Sequence, residues 1–313
     1  YILYPGLTKF PCTIGHEFSG LVEDLGKAVR DIKAGDSVTA EEMLWCGECV
    51  PCRGGFPNHC MNLEELGFTV DGAMAEYVKV EAKYCWKIDS LLDVYKSEDR
   101  IYEAGSLVEP TSVAYNALFV RAGGFKPGAY VAIYGAGPIG LASIQIAKAA
   151  GASKIIVFEV ARERMSLARE IGADYVFDPK ELEREGKSQS EKIMEMTDGL
   201  GADMQVEAAG APAQTLPEME KALAINGKIA WIGRAARAAP VTMERFQTRR
   251  GQVFGSQGHS GDEIFPNVIR LMASGRIDMT KIITKRFKLD EGIKALQEAS
   301  KRVDAKITVK PSD

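Results

Sequence analysis

The chain has 313 residues, of which 46% are hydrophobic and 26% charged, and its formal net charge at pH 7 is −4. This length favours two domains, and this composition is typical of a globular protein. The charge balance gives no electrostatic reason to expect a nucleic acid or an anionic membrane as a partner, and no apolar run approaches the ~20 residues that a membrane-spanning helix needs.

Short β patterns and turn residues dominate the chain up to about residue 105. Alternating and β-branched residues predict strands over residues 18–25, 37–40 and 72–80. The start of the chain shows neither the basic nor the apolar segment of a secretory signal, and its first residue is not Met. We therefore expect a cytoplasmic, reducing setting and a sequence that starts within a longer protein.

Four cysteines interrupt this β-rich part within one loop that is rich in glycine and proline: Cys46, Cys49, Cys52 and Cys60. Their spacing lets a single loop surround a Zn²⁺ ion with four thiolates, which leaves no open position for catalysis. A pair of disulfides is the alternative, and nothing in the sequence suggests the oxidising compartment that disulfides require. We therefore predict a structural zinc lobe, and we expect Cys12 and Cys85 to be buried as small hydrophobic residues.

Two motifs outside this loop are candidates for a second metal site. His16 and Glu17 lie side by side just before the first predicted strand, and Glu109 precedes the first helix of the second half of the chain. Imidazole and carboxylate groups are common zinc ligands. An isolated His-Glu pair is more often structural, but a cysteine quartet and a glycine motif in the same chain favour metal binding. We therefore predict that His16, Glu17 and Glu109 bind a metal ion, for which zinc is the expected choice.

From about residue 106 the chain alternates between strands and helices. Predicted strands cover residues 130–134, 154–158, 175–177, 204–208, 228–232 and 253–254, and predicted helices include residues 113–121. The alternation predicts an α/β fold with a doubly wound, mostly parallel sheet. The highly charged stretch 180–192 is interpreted as a solvated helix. A short tail follows, with a helix near 291–300 and a strand at 306–309.

A glycine motif, Gly135-Ala136-Gly137-Pro138-Ile139-Gly140, directly follows an apolar strand and precedes an apolar helix. This context is the one that a dinucleotide-binding turn requires. Gly135 would form the tight turn, Gly137 would let the backbone approach a pyrophosphate, and Gly140 would let helix and strand pack closely. Pro138 and Ile139 open the helix, whose N-terminus attracts phosphate. All of these residues except Ala136 are predicted cofactor-binding positions.

Glu159 ends the second strand of this half, 19 residues after Gly140. A carboxylate there can bind both hydroxyls of an adenosine ribose and repel a 2′-phosphate, which favours NAD over NADP. Arg162 and Arg164 follow closely, and either could reach a 2′-phosphate, so Arg164 is included as a candidate cofactor residue.

Small and apolar residues follow two later strands, at Ala209 and Ile232. The carboxyl ends of parallel strands meet at one edge of a doubly wound sheet, which is where such folds bind ligands. We therefore predict contacts of Ala209 and Ile232 on the nicotinamide side of the cofactor, with plain turns as the alternative.

Taken in this order, the motifs resemble those of the zinc-dependent medium-chain alcohol and polyol dehydrogenases over nearly the whole chain. The matching segments are Gly-His-Glu-Phe-Ser-Gly at 15–20, the cysteine quartet, Glu109-Pro110 and the glycine motif. Residues 40–46, 55–60, 108–117 and 255–260 further resemble the polyol and cyclitol branch. The resemblance implies a GroES-like catalytic domain (1–112 and 278–313, with the zinc lobe at 42–62) and a Rossmann domain (113–277).

The resemblance also implies a catalytic zinc held by a cysteine, His16 and an acid. Glu17 matches an acid that is either a ligand or a close neighbour of the metal, and Glu109 matches the outer acid of the polyol branch. The family's catalytic cysteine lies upstream of the Gly-His-Glu motif, where this sequence has only Cys12, outside the family's spacing. We therefore expect either an incomplete zinc site or a ligand in a segment that precedes this sequence.

The sequence thus predicts an enzyme that transfers a hydride from a secondary alcohol of a polyol or cyclitol, such as an inosose, to NAD. The alternatives are a zinc-free quinone or enone reductase and a non-catalytic dinucleotide-binding protein on the same fold. The resemblance further implies a homodimer or homotetramer. Of the other histidines, His59 is expected near the structural zinc without ligating it, and His259 is expected at a surface or interface.

Overall fold

The computed structural model describes residues 8–234 and 238–311. Its strands are β1 (Ser19–Leu21), β2 (Ser37–Ala40), β3 (Met43–Leu44), β4 (Glu64–Glu65), β5 (Cys85–Lys87), β6 (Tyr130–Tyr134), β7 (Lys154–Phe158), β8 (Tyr175–Phe177), β9 (Ala202–Glu207), β10 (Leu223–Trp231), β11 (Gln252–Gly255), β12 (Ile283–Lys288) and β13 (Lys306–Lys310). Its helices are α1 (Val50–Arg53), α2 (Leu92–Tyr95), α3 (Glu98–Ser106), α4 (Val108–Tyr115), α5 (Pro138–Ala149), α6 (Arg162–Ile171), α7 (Pro179–Arg184), α8 (Gln189–Met196), α9 (Pro212–Lys221), α10 (Met243–Arg249), α11 (Ile264–Ala273) and α12 (Gly292–Ser300). Among these described helices, none combines the length and the apolar character needed to cross a bilayer.

The described chain divides into two compact units. The first unit contains the residues up to Ser112 together with Gly258–Arg302 and the residues from Lys306 onward. The second unit contains Val113–Gln257 and the short segment Val303–Ala305. Residues 258–277, which the sequence assigns to the nucleotide-binding domain, belong to the first unit, because α11 packs its apolar face against α2 and the turn before it.

Parallel strands form the sheet of the second unit, in the order β11-β10-β9-β6-β7-β8 within the described residues. Every neighbouring pair is parallel. The strand order reverses at β6, since the chain continues to β7 on one side and returns to β9 on the other. The predicted doubly wound α/β fold is therefore confirmed, and the point of reversal between β6 and β9 is where such sheets bind ligands.

Apolar side chains on one face of the sheet pack under the helices of the second unit. Tyr134 and Phe158 on neighbouring strands are buried, with ring centroids 5.1 Å apart. Ile193, Leu216 and helical residues around them close the same cluster. Each large side chain buried in this way contributes about 1.5–3 kcal/mol to the free energy of unfolding, so the sheet is a rigid support for the turns at its edge.

The first unit is built from small sheets. Strands β1, β2 and β5 form an antiparallel sheet, and β12 pairs with β13 in parallel. The two-residue strands β3 and β4 pair on either side of the cysteine loop, so that they close its base. This arrangement is the predicted β-rich, GroES-like architecture with a separate lobe inserted into it.

The strand predicted at residues 72–80 is absent from the structure. Instead, the first three amides of this segment donate hydrogen bonds to the carbonyl groups of residues 13–15. The two backbones approach so closely that a Cβ atom on Gly72 would lie 2.0 Å from the carbonyl oxygen of Gly15. The segment therefore fixes the backbone immediately before His16. Alternation in the sequence reports half-burial, which this irregular pairing also provides.

Candidate functional site

The four lobe cysteines converge on one point. Their Sγ atoms all lie within 4.8 Å of one another, with 3.5 Å between Cys60 and Cys46 and 3.8 Å between Cys49 and Cys60. Four sulfurs at the ordinary zinc–sulfur distance would stand about 3.8 Å apart in a tetrahedron. All six cysteines of the chain lie in the described residues, and none forms a disulfide. The quartet thus fits a closed tetrathiolate zinc site.

Backbone amides of the lobe point at the sulfur atoms. The amide of Cys49 lies 3.4 Å from Cys46 Sγ, and bonds from the Glu48 and Cys49 amides lower the pKa of Cys46 to about 6. In contrast, burial raises the pKa of Cys52 to about 12. A cation at the centre would stabilise the Cys52 thiolate, which the surrounding amides alone do not.

A second donor group brings together His16, Glu17 and Glu109. One ligand atom from each residue lies within 4.8 Å of the others. Glu109 is 4% exposed in the first turn of α4. The Nδ1 atom of His16 is buried without a hydrogen-bond partner in the described part of the chain. An unpaired imidazole nitrogen beside two carboxylates is a donor set that fits a divalent cation such as zinc.

Cysteine ligands are absent from this second group as far as the described residues extend. The thiol of Cys12 faces the carbonyl oxygen of Phe68 at 3.9 Å. The side chain of Phe68 also approaches the site, with 4.9 Å between the centroids of its ring and the His16 ring. Phe68 therefore packs on the imidazole and restricts its rotation.

Lys306, which the sequence did not single out, forms an ion pair with Glu17. It lies at the start of β13, and its side chain is largely buried. Burial lowers the pKa of Lys306 to about 7, and the adjacent carboxylate favours the charged form of the ammonium group. Glu17 is therefore held by a cation that comes from the far end of the chain.

Two further buried residues, Glu42 and His259, lie against Glu109. His259 Nε2 contacts a carboxylate oxygen of Glu42 and lies 3.0 Å from Glu109 Oε1. The expectation that His259 lies at a surface is wrong, because its side chain is fully buried. Burial alone would raise the pKa of Glu42, but the adjacent His259 outweighs it and the pKa is lowered. Burial likewise opposes protonation of His259, yet Glu42 and Glu109 raise its pKa well above the ordinary value.

The glycine motif of the second unit forms the turn between β6 and α5. Gly135 has φ +92, and a Cβ there would lie 2.8 Å from the backbone of Ala209. A Cβ on Gly140 would lie 1.9 Å from the carbonyl oxygen of Gly135. Gly137 is the N-cap of α5, with Pro138 at the first helical position and open space where a Cβ would stand. The turn thus has the shape that binds a pyrophosphate.

Glu159 lies beside this turn and is buried. Its carboxylate accepts hydrogen bonds from the backbone amides of Ala136 at 2.7 Å, Val160 at 2.7 Å and Ala161 at 2.9 Å. Glu159 therefore ties the glycine turn to the end of β7. Arg164 donates from Nε and Nη2 to the carbonyl oxygen of Asp304, at 3.3 and 3.1 Å, and so is held by the backbone.

The turns after β9 and β10 contact each other. The amides of Ile232 and Gly233 both donate to the carbonyl oxygen of Glu207. The Glu207 side chain is buried, and burial raises its pKa. A Cβ on Gly233 would lie 2.2 Å from Glu207 Oε2. These contacts fix the backbone at Ala209 and Ile232, both predicted cofactor positions, at the edge that carries the glycine turn.

Three residues of these sites, Glu42, Lys306 and Glu207, were not predicted from the sequence. A signal for Glu42 was present, since two adjacent acids stand between Ala40 and the apolar pair Met43-Leu44. Acids in such a position are buried only when they are paired. No comparable local signal marks Lys306.

Two protein-family models match the chain, one mainly in each of the two units. Residues 2–90 match the family model of the alcohol dehydrogenase GroES-like domain, and residues 138–274 match that of zinc-binding dehydrogenases. A scyllo-inosose 3-dehydrogenase from Thermotoga maritima is 54% identical over 93% of this chain and 74% of its own length.

The chain is also similar to solved structures of alcohol dehydrogenases and zinc-binding dehydrogenases. A protein from Thermotoga maritima assigned as an alcohol dehydrogenase is 51% identical, with a TM-score of 0.93 over 99% of this chain and 80% of its own. A chain from Sinorhizobium meliloti 1021, assigned as a zinc-binding dehydrogenase and bound to NADP, has a TM-score of 0.86 at 29% identity (97% and 85% covered). A short chain alcohol dehydrogenase from Escherichia coli CFT073, complexed with NADH, has a TM-score of 0.84 at 28% identity (98% and 85% covered).

Replacing a quartet cysteine, as in Cys49→Ser, should remove one zinc per chain and destabilise the lobe, because the closed site loses a ligand. We expect the melting temperature to fall by about 5–10 °C, as measured by calorimetry alongside metal analysis. Cys12→Ser is the matched control, since Cys12 lies outside both donor groups. Equal zinc content in the two variants would contradict the assignment.

Two glycines of the turn should respond differently to alanine. Gly140→Ala places a methyl group against the carbonyl of Gly135 and should destabilise the protein by about 1–3 kcal/mol. Gly137→Ala meets open space, so its melting temperature should stay near that of the wild type, while its affinity for NADH falls because the methyl group obstructs the pyrophosphate. Calorimetry and NADH fluorescence titration separate the two effects, and unchanged NADH binding in Gly137→Ala would argue against this turn as the cofactor site.

Proposed function

The chain belongs to the zinc-binding dehydrogenase family, and from this premise we propose that it oxidises a secondary hydroxyl group of a polyol or cyclitol with NAD. The observation that carries the proposal is the meeting of His16, Glu17 and Glu109 in a chain that also has the glycine turn. The substrate class is supported by 54% identity to a scyllo-inosose 3-dehydrogenase.

His16, Glu17 and Glu109 are proposed to hold a catalytic zinc ion, and the cysteine quartet to hold a structural one. When bound, the catalytic zinc would lower the pKa of the substrate hydroxyl so that its proton is released to solvent, and NAD would accept the hydride from the carbinol carbon to give the ketone and NADH. The residues present provide the ligand atoms and fix them. Gly15 and the segment at 72–74 hold the backbone before His16, Lys306 holds Glu17, and α4 places Glu109.

The second unit supplies the cofactor site in this proposal. Amides at the start of α5 bind the pyrophosphate, and Gly137 lets it approach. Glu159 faces the adenosine ribose, and because its carboxylate offers about four acceptor sites, the three amide bonds it already accepts leave about one for a ribose hydroxyl. Its charge disfavours a 2′-phosphate, and Arg164 is bound to the Asp304 carbonyl. These features support NAD over NADP.

The alternative functions are less consistent with the donor groups. A zinc-free reductase has no need for an imidazole with an unpaired buried nitrogen beside two carboxylates. A non-catalytic protein would not need these residues either, since burying several ionisable groups without a ligand is costly.

The edge strand β11 supports association between copies of the chain. Among the described strands β11 pairs only with β10, so its other side is an edge that favours pairing with another strand. Val253 on this strand is 44% exposed, and Arg121 donates a hydrogen bond to the carbonyl oxygen of Gly255 at its end. We propose a homodimer or homotetramer that uses this edge, which light scattering after gel filtration tests. The six cysteines, all within the described residues, form no disulfide, which supports the cytoplasm as the setting, since thiols stay reduced there.

Substituting His16 with alanine should abolish turnover, because the zinc ion loses a ligand and the substrate hydroxyl is no longer activated. Several kcal/mol of transition-state stabilisation correspond to a loss of about 1,000-fold or more in kcat. NADH affinity should be unchanged, because the nucleotide turn lies in the other unit. Steady-state kinetics and NADH titration check both parts, and full activity of the variant would remove zinc from the mechanism.

A substrate screen tests the substrate class and the cofactor together. We expect inositols and inososes to be better substrates than sorbitol, and sorbitol to be better than simple primary alcohols. NAD should give a higher kcat/KM than NADP, by about tenfold, because the Glu159 carboxylate opposes the 2′-phosphate. Initial rates of NADH or NADPH formation measure this, and a preference for ethanol or for NADP would contradict the corresponding part of the proposal.

A further inference from the structure

The role of His259 is not explained by the proposed zinc ligands. Its side chain is fully buried, yet only one of its two ring nitrogens is paired. Nε2 faces the carboxylates of both Glu42 and Glu109, whereas Nδ1 has no hydrogen-bond partner within the ranges that the structure describes. The ring is therefore directed at the two acids through a single atom.

The backbone around His259 keeps the ring in this position. Gly258 has φ +63, and a Cβ there would lie 2.1 Å from the sulfur of Met43. Gly261 has φ +87 and packs against Pro57. The Phe265 ring lies 5.0 Å from the imidazole, at an interplanar angle of 60°. In such close packing the ring cannot turn away from the acids without displacing its neighbours.

Glu109 belongs to two groups at once. Its Oε1 atom lies 3.0 Å from His259 Nε2, and the same carboxylate contributes a ligand atom to the group with His16 and Glu17. Glu42 and Glu109 are both buried. Two buried carboxylates against each other repel strongly, and removal of the cation between them is costly. Without His259, repulsion between the two carboxylates would favour a rotation of the Glu109 side chain away from Glu42.

We propose that His259 is a positioning residue, which by binding Glu42 and Glu109 through Nε2 fixes the orientation of the Glu109 carboxylate toward the catalytic zinc ion. This inference rests on the proposed function, because it takes His16, Glu17 and Glu109 as the zinc-binding group. Groups around a metal ligand that hold it in one orientation typically change metal affinity 10–100-fold when they are removed.

The decisive variants are His259→Leu, which removes the N–H donor, and His259→Gln, which keeps one donor. Zinc affinity is measured on the full chain by competition with a chelator, and the quartet's zinc serves as an internal reference. We expect His259→Leu to weaken the second zinc about 10–100-fold and to leave the quartet's zinc in place. His259→Gln should be intermediate, because its amide can hold one carboxylate but not both. Glu244→Gln, an exposed change of charge in α10, is the control.

Substitution of Co²⁺ for zinc adds a second measurement, the visible absorption spectrum, which a general loss of stability would not change. With Co²⁺ in the second site, the visible absorption bands should shift in His259→Leu, because the orientation of Glu109 changes the ligand field. Full activity is not needed for this measurement.

Glu42→Gln keeps the contact between His259 and Glu109 and removes one of the two negative charges. It should therefore change zinc affinity and the cobalt spectrum little.

Five outcomes would overturn the inference. Wild-type zinc affinity and an unchanged cobalt spectrum in His259→Leu would do so, as would a parallel loss of both zinc ions, which indicates a structural role. A third zinc that disappears in His259→Leu would make His259 a metal ligand instead. If His259→Leu does not fold, wild-type affinity in His259→Gln is the contradicting result. A wild-type chain with only the quartet's zinc would overturn the proposed function and this inference together, whereas two zinc ions that ignore His259 overturn the inference alone.

Discussion

Repulsion between closely spaced acidic groups is the constraint on which the first unit depends. Four thiols lie within one small lobe, and two carboxylates and two imidazoles lie around the carboxylate of Glu109. Anionic groups taken out of water are stable only when each has a cation or a set of N–H donors. The chain meets this requirement with backbone amides at Cys46, with Lys306 at Glu17, and with His259 between Glu42 and Glu109.

A different constraint shapes the second unit, where the backbone itself forms the site. Gly135 packs on Ala209, Gly140 packs on Gly135, and Gly233 packs on the turn at Gly210. At each of these points a side chain would collide with main-chain atoms. The amides at the start of α5 are consequently held in place by packing rather than by ionic contacts, and Glu159 closes the arrangement by accepting three amide bonds.

Features that depend on neighbouring residues could be predicted from the sequence. The cysteine quartet, the glycine turn and the alternation of strands and helices are all local patterns, and the structure contains each of them. The strand predicted at residues 72–80 is wrong, because periodicity does not distinguish a sheet ladder from irregular pairing with the segment before His16. Glycine at positions 67 and 72, whose Cβ atoms would collide with Gly15, was the available signal for that close approach.

Contacts between distant residues could not be predicted, and they decide how each metal site relates to folding. His259 and Glu42 are 217 residues apart in sequence, and no local pattern encodes which of the buried acids a histidine will meet. The outermost quartet cysteines are only 14 residues apart, so the loop that a zinc ion must close is short and its entropic cost is small. Zinc can therefore contribute directly to folding of the lobe. The group around Glu109 draws on the beginning, the middle and the end of the first unit, so its geometry is a consequence of a fold that has already formed.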